Sequence, residues 1–536
     1  MKKTLGNYLV DTLEAQGVQH VFGIPGVHNL ELYRGLARSR IRHVTGRHEQ
    51  GLGFMADGYA RVARRPGVCF TITGPGLTNI STAMGQAYGD SVPLLVISSE
   101  NRSGEIGAAR GFLHEMPEQL GVAARVAGFS RRLTQPKELP EIVAQAFAAM
   151  TNGRPRPAYI EIPRDLMTAD ASGLPAPAAP AALVRPSRPG APAAALAEAA
   201  RQLRAARNPL IIAGGGALGA TGELRQLAEH LDAPLVMTVN ARGLLPPEHP
   251  LGVSMSPSLD AVRRLIADAD LVFAVGTELG PTDFDMYATE EFRQPRNLIR
   301  IDIDAAQLQR NARATLALHA DAASALQGIL AQDLGPKRPQ TQAARVAAAC
   351  ATALAALTPA MRRELNFLET IRTLLPQAIL VGDSTQPVYA GNLGFSAATP
   401  GSWFNSATGF GTLGYALPAS TGAGLAAPDR PVVCLVGDGG IQFTLGELAV
   451  PRDVDAWLAI VVWNNSGYGE IKTSMLAVDI DPVGVDVQPP DFGHIARAYG
   501  YAHQLIDSLE ALERALREFG ARRQVVMLEV RGEAFE

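Results

Sequence analysis

The residues best suited to chemistry fall in two short clusters, Gly437-Asp438-Gly439-Gly440 and Asn464-Asn465, with 24 residues between Gly439 and Asn464. Each cluster follows an apolar run, 431–436 and 457–463, that reads as a buried strand, so Asp438 and Asn465 are expected at the ends of two strands of one sheet, on one edge. A carboxylate and an amide oxygen placed there are hard ligands that suit Mg²⁺, an ion that keeps further positions for phosphate oxygens and water. Gly439 and Gly440 let backbone N–H groups approach a diphosphate, and the helix expected next presents its N-terminus to the same charge. The plainer alternative is a glycine-rich strand–helix turn capped by Asp438.

These residues must be positioned by a large scaffold. A chain of 536 residues is too long for one core and long enough for about three domains at roughly 150 residues each. Short β-rich runs alternate with amphipathic helical ones, as in GVCFTIT, NISTAMGQAYGDS and PLLVISS. Continuous apolar strands joined by helices imply parallel sheets covered on both faces, an α/β class throughout. Two segments interrupt the alternation: the proline-rich 171–192, read as an extended linker, and about 333–360, where DLGPKRPQTQ leads into an Ala-rich helical stretch. They divide the chain into domains at 1–168, 185–335 and 358–536. Ligands in such sheets sit at the carboxyl ends of the strands.

Composition narrows the partners. With 47% apolar and 19% charged residues and a net charge of −4, the chain has the balance of a soluble globular protein and no surface for nucleic acid or acidic membrane. Asn7, Asp11 and Glu14 interrupt the start, so no secretory signal is expected, and no apolar run approaches the ~18 residues of a membrane span. Cys69, Cys350 and Cys434 lie far apart and read as free thiols of a cytoplasmic protein.

The middle segment PLIIAGGGALGATGELRQLAEHL places Gly214, Gly216 and Gly219 as G-x-G-x-x-G between a strand and a helix, the pattern of a nicotinamide-dependent oxidoreductase. The next strand, APLVMTVN, ends in Asn240 without the acid that would hold a ribose.

The GDG–24–NN spacing is the diphosphate-binding motif of the thiamine-diphosphate enzymes, and along nearly the whole chain the sequence resembles their acetolactate synthase and pyruvate decarboxylase group. That resemblance implies a Mg²⁺ held by Asp438, Asn465 and the main-chain oxygen of Gly467. The stretches HVFGIPGVHNLELYRGL and HVTGRHEQGLGFMADGYARV match the pyrimidine-binding part and put the activating glutamate at Glu49. A carboxyl sharing its proton with the aminopyrimidine ring favours the imino tautomer, which then deprotonates the thiazolium. Read locally, Glu49 is a solvated member of a charge cluster with Arg47 and His48. By the same resemblance TGPG, 73–76, lies against the pyrimidine, Leu413 is wedged under the cofactor, the Gly411 carbonyl accepts from its amino nitrogen, and Thr385 and Gln386 lie beside the diphosphate. The central domain of the group is Rossmann-like and in some members binds FAD or ADP. The group's sites pair the first domain of one chain with the third domain of another, implying a homodimer at least and commonly a homotetramer.

Departures from the relatives bear on the substrate, a small 2-oxo acid. Val27, followed by His28, replaces an aspartate of the pyruvate decarboxylases, and His114-Glu115 stands where they carry paired histidines, which makes His114 the candidate proton relay. Glu470 lies one residue before the position of their catalytic glutamate, here Ile471, a shift of ~100° around a helix. The signature of GIPGVH, LHE, DSTQPVY, NNSGYGEIK and VDIDPVGVD looks most like the 5-guanidino-2-oxopentanoate decarboxylases. A guanidinium tail calls for carboxylates in bidentate reach, and Glu115, Glu118, Glu470, Asp479 and Asp481 are the acids flanking the expected site. An acetolactate-synthase-like carboligase is the alternative activity.

Overall fold

The computed structural model describes residues 3–177, 187–284 and 294–532. The middle of the expected linker, 178–186, lies outside the described residues. Three six-stranded sheets form the protein, and every strand pairing within them is parallel. Runs such as Gly67–Thr71 and Leu94–Glu100 are buried at every position because helices cover both faces, which is why they read as continuous rather than alternating apolar segments.

The first sheet runs in the order Arg42–Thr45, His20–Gly23, Gly67–Thr71, Leu94–Glu100, Ala158–Pro163, Phe129–Arg132. The third repeats that order with Trp403–Asn405, Ile379–Gly382, Val432–Gly437, Leu458–Asn464, Val525–Arg531, Ala502–Ile506. In both, the chain's direction of winding reverses between the first strand and the third, which opens a crevice at their carboxyl ends. The middle sheet instead winds outward in both directions from Pro209–Ala213 and Leu271–Val275, the Rossmann arrangement. Residues 343–356 form the expected helix.

The first and third sheets are locked together by two helices, Glu49–Ala63 and Ala416–Ala426, that share one apolar cluster. Their backbones approach so closely that a Cβ on Gly58 would collide with Ala419, and one on Gly422 with Met55. Among the described residues no helix is long and apolar enough to cross a membrane. Cys69 and Cys434 are buried and Cys350 partly so, and all three are free.

Candidate active site

The strands Val432–Gly437 and Leu458–Asn464 are direct neighbours with Gly437 opposite Trp463, so Asp438 and Asn465 emerge side by side at the crevice of the third sheet. Asp438 is 2% exposed. Burial pushes its carboxyl up, against backbone N–H groups that hold it down, among them those of Asn465 at 3.4 Å and Gly467 at 3.1 Å. The Asn465 side-chain oxygen sits 3.1 Å from Asp438 Oδ1 and 2.8 Å from the Gly467 carbonyl oxygen. Three oxygens thus converge with no hydrogen between them. Turning the amide over would give two ordinary hydrogen bonds; a hard cation would satisfy all three oxygens, and the donor set fits one. Gly467 has φ 153°, and a Cβ there would strike the carbonyl oxygen of Val485, so only glycine can carry this carbonyl.

After Gly440 the structure departs from the expected regular helix. Gly440–Ala449 is a 3₁₀ stretch broken at Thr444 (φ −134°, ψ 31°), because the Thr444 hydroxyl donates to Gly414 O at 2.8 Å and draws the turn toward the 409–415 loop. Asp383, fully buried at the end of Ile379–Gly382, anchors the same loop. Its carboxylate accepts from Ser384 N (2.8 Å), Gly414 N (2.9 Å) and Ala416 N (3.4 Å), and burial pushes it up to about 6. Gly411 (φ 74°) is exposed and Leu413 half-buried. From the first sheet's side, Gln86 accepts from Thr412 N (3.3 Å) and donates to Thr408 O (3.1 Å), while Asp90 accepts from the Thr408 hydroxyl (3.0 Å). Arg61 bridges Asp90 and Asp57, and Asp57 in turn accepts from the Tyr415 hydroxyl. The loop is therefore clamped from both sides. Thr385 stands at the N-cap position of the helix Gln386–Gly394 without a side-chain capping bond, and Gln386 Oε1 accepts from Trp463 Nε1 (2.9 Å) and Asn465 Nδ2 (3.3 Å), which ties it to the oxygen cluster.

At the crevice of the first sheet, Glu49 opens its helix half-buried and accepts from Asn79 Nδ2 at 2.9 Å. The preceding turn is held by Glu447, which accepts from Arg47 N (3.0 Å) and His48 N (2.8 Å). His28, 3% exposed, pairs through Nδ1 with the Thr73 hydroxyl at 2.9 Å, and its ring meets His114 edge-on at 5.2 Å. Burial, then Arg164 and His114, depress the His28 pKa, with Glu105 opposing. His114 adopts φ 61°, and its carbonyl oxygen lies 2.5 Å from where a Cβ on Gly74 would be. Gln119 fixes that turn by accepting from Gly74 N at 2.6 Å.

Of the acids flanking the site, Glu115 accepts from Gly111 N (2.7 Å) and Phe112 N (3.0 Å), and Glu118 caps its own short helix through Gly121 N (3.2 Å). Both serve their loops. Asp479, Asp481 and Glu470 are exposed. His28, Gln86, Asp90, Gln119 and Glu447 were not assigned roles from sequence, and Asp383 was placed only in the loop expected beside the diphosphate; a polar residue on the buried face of a helix was the available signal for Gln86. In the middle sheet, Gly214 N and Gly216 N donate to Val275 O and Gly276 O, both at 3.0 Å, so the glycine run serves close packing of that turn.

Residues 3–122 match the N-terminal TPP binding domain of thiamine pyrophosphate enzymes, 196–329 their central domain and 383–530 their C-terminal TPP binding domain. The chain is 46% identical to a probable 2-ketoarginine decarboxylase of Pseudomonas aeruginosa, over 98% of this chain and 94% of that protein. It is 31% identical to the large subunit of acetolactate synthase isozyme 1 of Escherichia coli, over 87% of this chain and 82% of the relative. With a probable acetolactate synthase large subunit of Methanocaldococcus jannaschii the identity is 28%, over 95% and 88%.

Proposed function

Because the chain belongs to the thiamine pyrophosphate enzymes, we propose that it uses thiamine diphosphate and Mg²⁺ to convert 5-guanidino-2-oxopentanoate to 4-guanidinobutanal and CO₂. The observation that carries the cofactor reading is the convergence of Asp438 Oδ1, the Asn465 amide oxygen and Gly467 O at adjacent strand ends. The guanidino tail is supported by the 46% identity to a probable 2-ketoarginine decarboxylase.

When bound, the cofactor supplies a nucleophilic carbon and an electron sink. Asp438, Asn465 and Gly467 would hold the Mg²⁺, and Gly439, Gly440, Thr385 and Gln386 would bind the diphosphate. Glu49 would share a proton with the aminopyrimidine ring. The clamped loop carries Leu413 and Gly411, which by the resemblance would support the bound cofactor. Replacing the carboxylate lost as CO₂ requires that one proton be delivered to the substrate before the aldehyde departs. His114, in ring contact with His28, delivers that proton. A neutral His28 can share a hydrogen bond with Thr73 and adds no second positive charge beside His114.

Because the group it resembles pairs the first domain of one chain with the third domain of another, the two halves of a site are read as coming from different copies of the chain, in a homodimer or a dimer of dimers. The enzyme is read as cytoplasmic, and FAD in the central domain would declare itself by absorbance near 450 nm. The test is a decarboxylation screen of 2-oxo acids, from pyruvate through branched, aromatic and guanidino types, with products identified. The guanidino acid should exceed pyruvate by at least ~100-fold in kcat/KM, about 2.7 kcal/mol of transition-state binding. Acetolactate from pyruvate as the main product would refute the reading and favour a carboligase, the activity named for the 31% identical relative.

A further inference from the structure

The helix Pro359–Leu374 buries Glu364, Leu365, Phe367, Leu368 and Ile371 along one stripe. Four of the five are apolar, as an amphipathic helix requires. The fifth is a carboxylate, 8% exposed, and among the described residues no side-chain or backbone donor bonds it. An ionised carboxylate without a partner in such a setting is costly. Burial and then the charge of Glu470 push Glu364 up to about 7, and only its helix neighbour Arg363 opposes them.

The position of this carboxylate follows from its neighbours. Phe367, less than one turn further along the helix, meets the Trp463 ring edge-on at 5.5 Å. Trp463 Nε1 bonds Gln386, and Gln386 bonds Asn465 of the oxygen cluster. Glu470 stands in the first turn of Gly469–Ala477, directly after the strand end that carries Asn465. Burial, then the charges of Glu470 and Asp383, push up the phenol of Tyr389 on Gln386–Gly394, with Ser384 opposing. Three elements therefore place Glu364 and Tyr389 within electrostatic reach of Glu470, and the Phe367–Trp463 contact ties the helix of Glu364 to the side of the sheet where Gln386 bonds Asn465.

We propose that Glu364 and Glu470 form the subsite that receives the cationic tail of the substrate, Glu364 as its floor and Glu470 as its rim. This rests on the guanidino-acid reading above. A planar guanidinium offers donors along two edges, enough to engage both carboxylates at once. It also supplies the positive charge that Glu364 lacks. The site is distinct from Glu115, whose carboxylate accepts from backbone N–H groups of its own loop, and from Glu118, which caps its helix through Gly121 N and faces Arg132 at 3.8 Å.

The test compares 5-guanidino-2-oxopentanoate with 5-ureido-2-oxopentanoate, which has the same length and shape but no charge. In holoenzyme, Glu364→Gln and Glu470→Gln should each lower the guanidino-to-ureido ratio of kcat/KM at least about tenfold, the worth of a charge-assisted hydrogen bond. Glu364→Asp should restore part of it. In the wild type, KM for the guanidino acid should fall as pH rises through 7, because the ionised form of Glu364 binds the cation; Glu364→Gln should flatten that slope. Glu470 is exposed, so its variant keeps the test available should Glu364→Gln fold poorly. Ratios within twofold of wild type in both variants overturn the subsite. A wild type that does not favour the guanidino acid overturns the reading beneath it instead.

Discussion

Gly467→Ala separates a carbonyl that ligates a cation from a glycine that merely turns the chain. At φ 153° the backbone is in a region that side chains rarely adopt, and the new Cβ would fall within 3.0 Å of the Val485 carbonyl oxygen. Forcing a residue into such a conformation costs about 1–3 kcal/mol, and relief requires moving either the loop segment at Val485 or the Gly467 carbonyl. Tyr468 N bonds Val485 O at 2.9 Å, so the two segments are tied and the carbonyl is the freer partner. If about 2 kcal/mol of strain is relieved by turning that oxygen away from Asp438 and Asn465, half-saturating Mg²⁺ rises roughly 30-fold at fixed thiamine diphosphate. The assay is quenching of Trp fluorescence by cofactor across a Mg²⁺ titration, with the thermal midpoint measured without metal as control. A variant that loses midpoint but keeps its Mg²⁺ dependence within twofold would refute the ligand role and favour the overturned amide.

Asp438→Ala should lose activity that excess thiamine diphosphate and Mg²⁺ restore only in part, since one charged ligand is gone; full activity after chelator dialysis without cofactor added back would contradict the metal–diphosphate reading. Mixing inactive Glu49→Gln and Asp438→Ala chains should recover intact sites, and hybrids that stay inactive despite demonstrated subunit exchange would rule out a site shared between copies. The buried His28 has its pKa held below the ordinary 6.5 by burial and neighbouring cations. Its unfolded form therefore takes up the proton first, so this contribution to stability is present above pH 6.5 and is lost as pH falls toward the folded pKa. The fall in thermal midpoint from pH 7.5 to 5 should be shallower in His28→Gln than in wild type, and equal slopes would mean that His28 is solvated.

Local pattern carried much of this protein. The apolar runs around Cys69 and Cys434 announced doubly covered parallel strands, and the spacing from Asp438 to Asn465 announced two adjacent strand ends, because strand period, strand length and ligand chemistry are local properties of a chain. The order of the strands is not local, and neither is the identity of the groups that aim the site. Gln86 bonds Thr408, 322 positions away, and only packing of the Glu49–Ala63 helix on Ala416–Ala426 brings them together. Packing likewise broke the turn after Gly440, by drawing Thr444 onto Gly414. The acids show the difference most clearly. By sequence Glu115, Glu118 and Glu470 are equivalent candidates, while Glu364 looks like one more solvated charge in MRRELNF. The fold gives Glu115 the N–H groups of its own loop and Glu118 a helix cap, and among the described residues it leaves Glu364 buried with no hydrogen-bond donor. Whether a carboxylate is free to bind a ligand depends on which donors surround it in space, and that is decided when the chain packs.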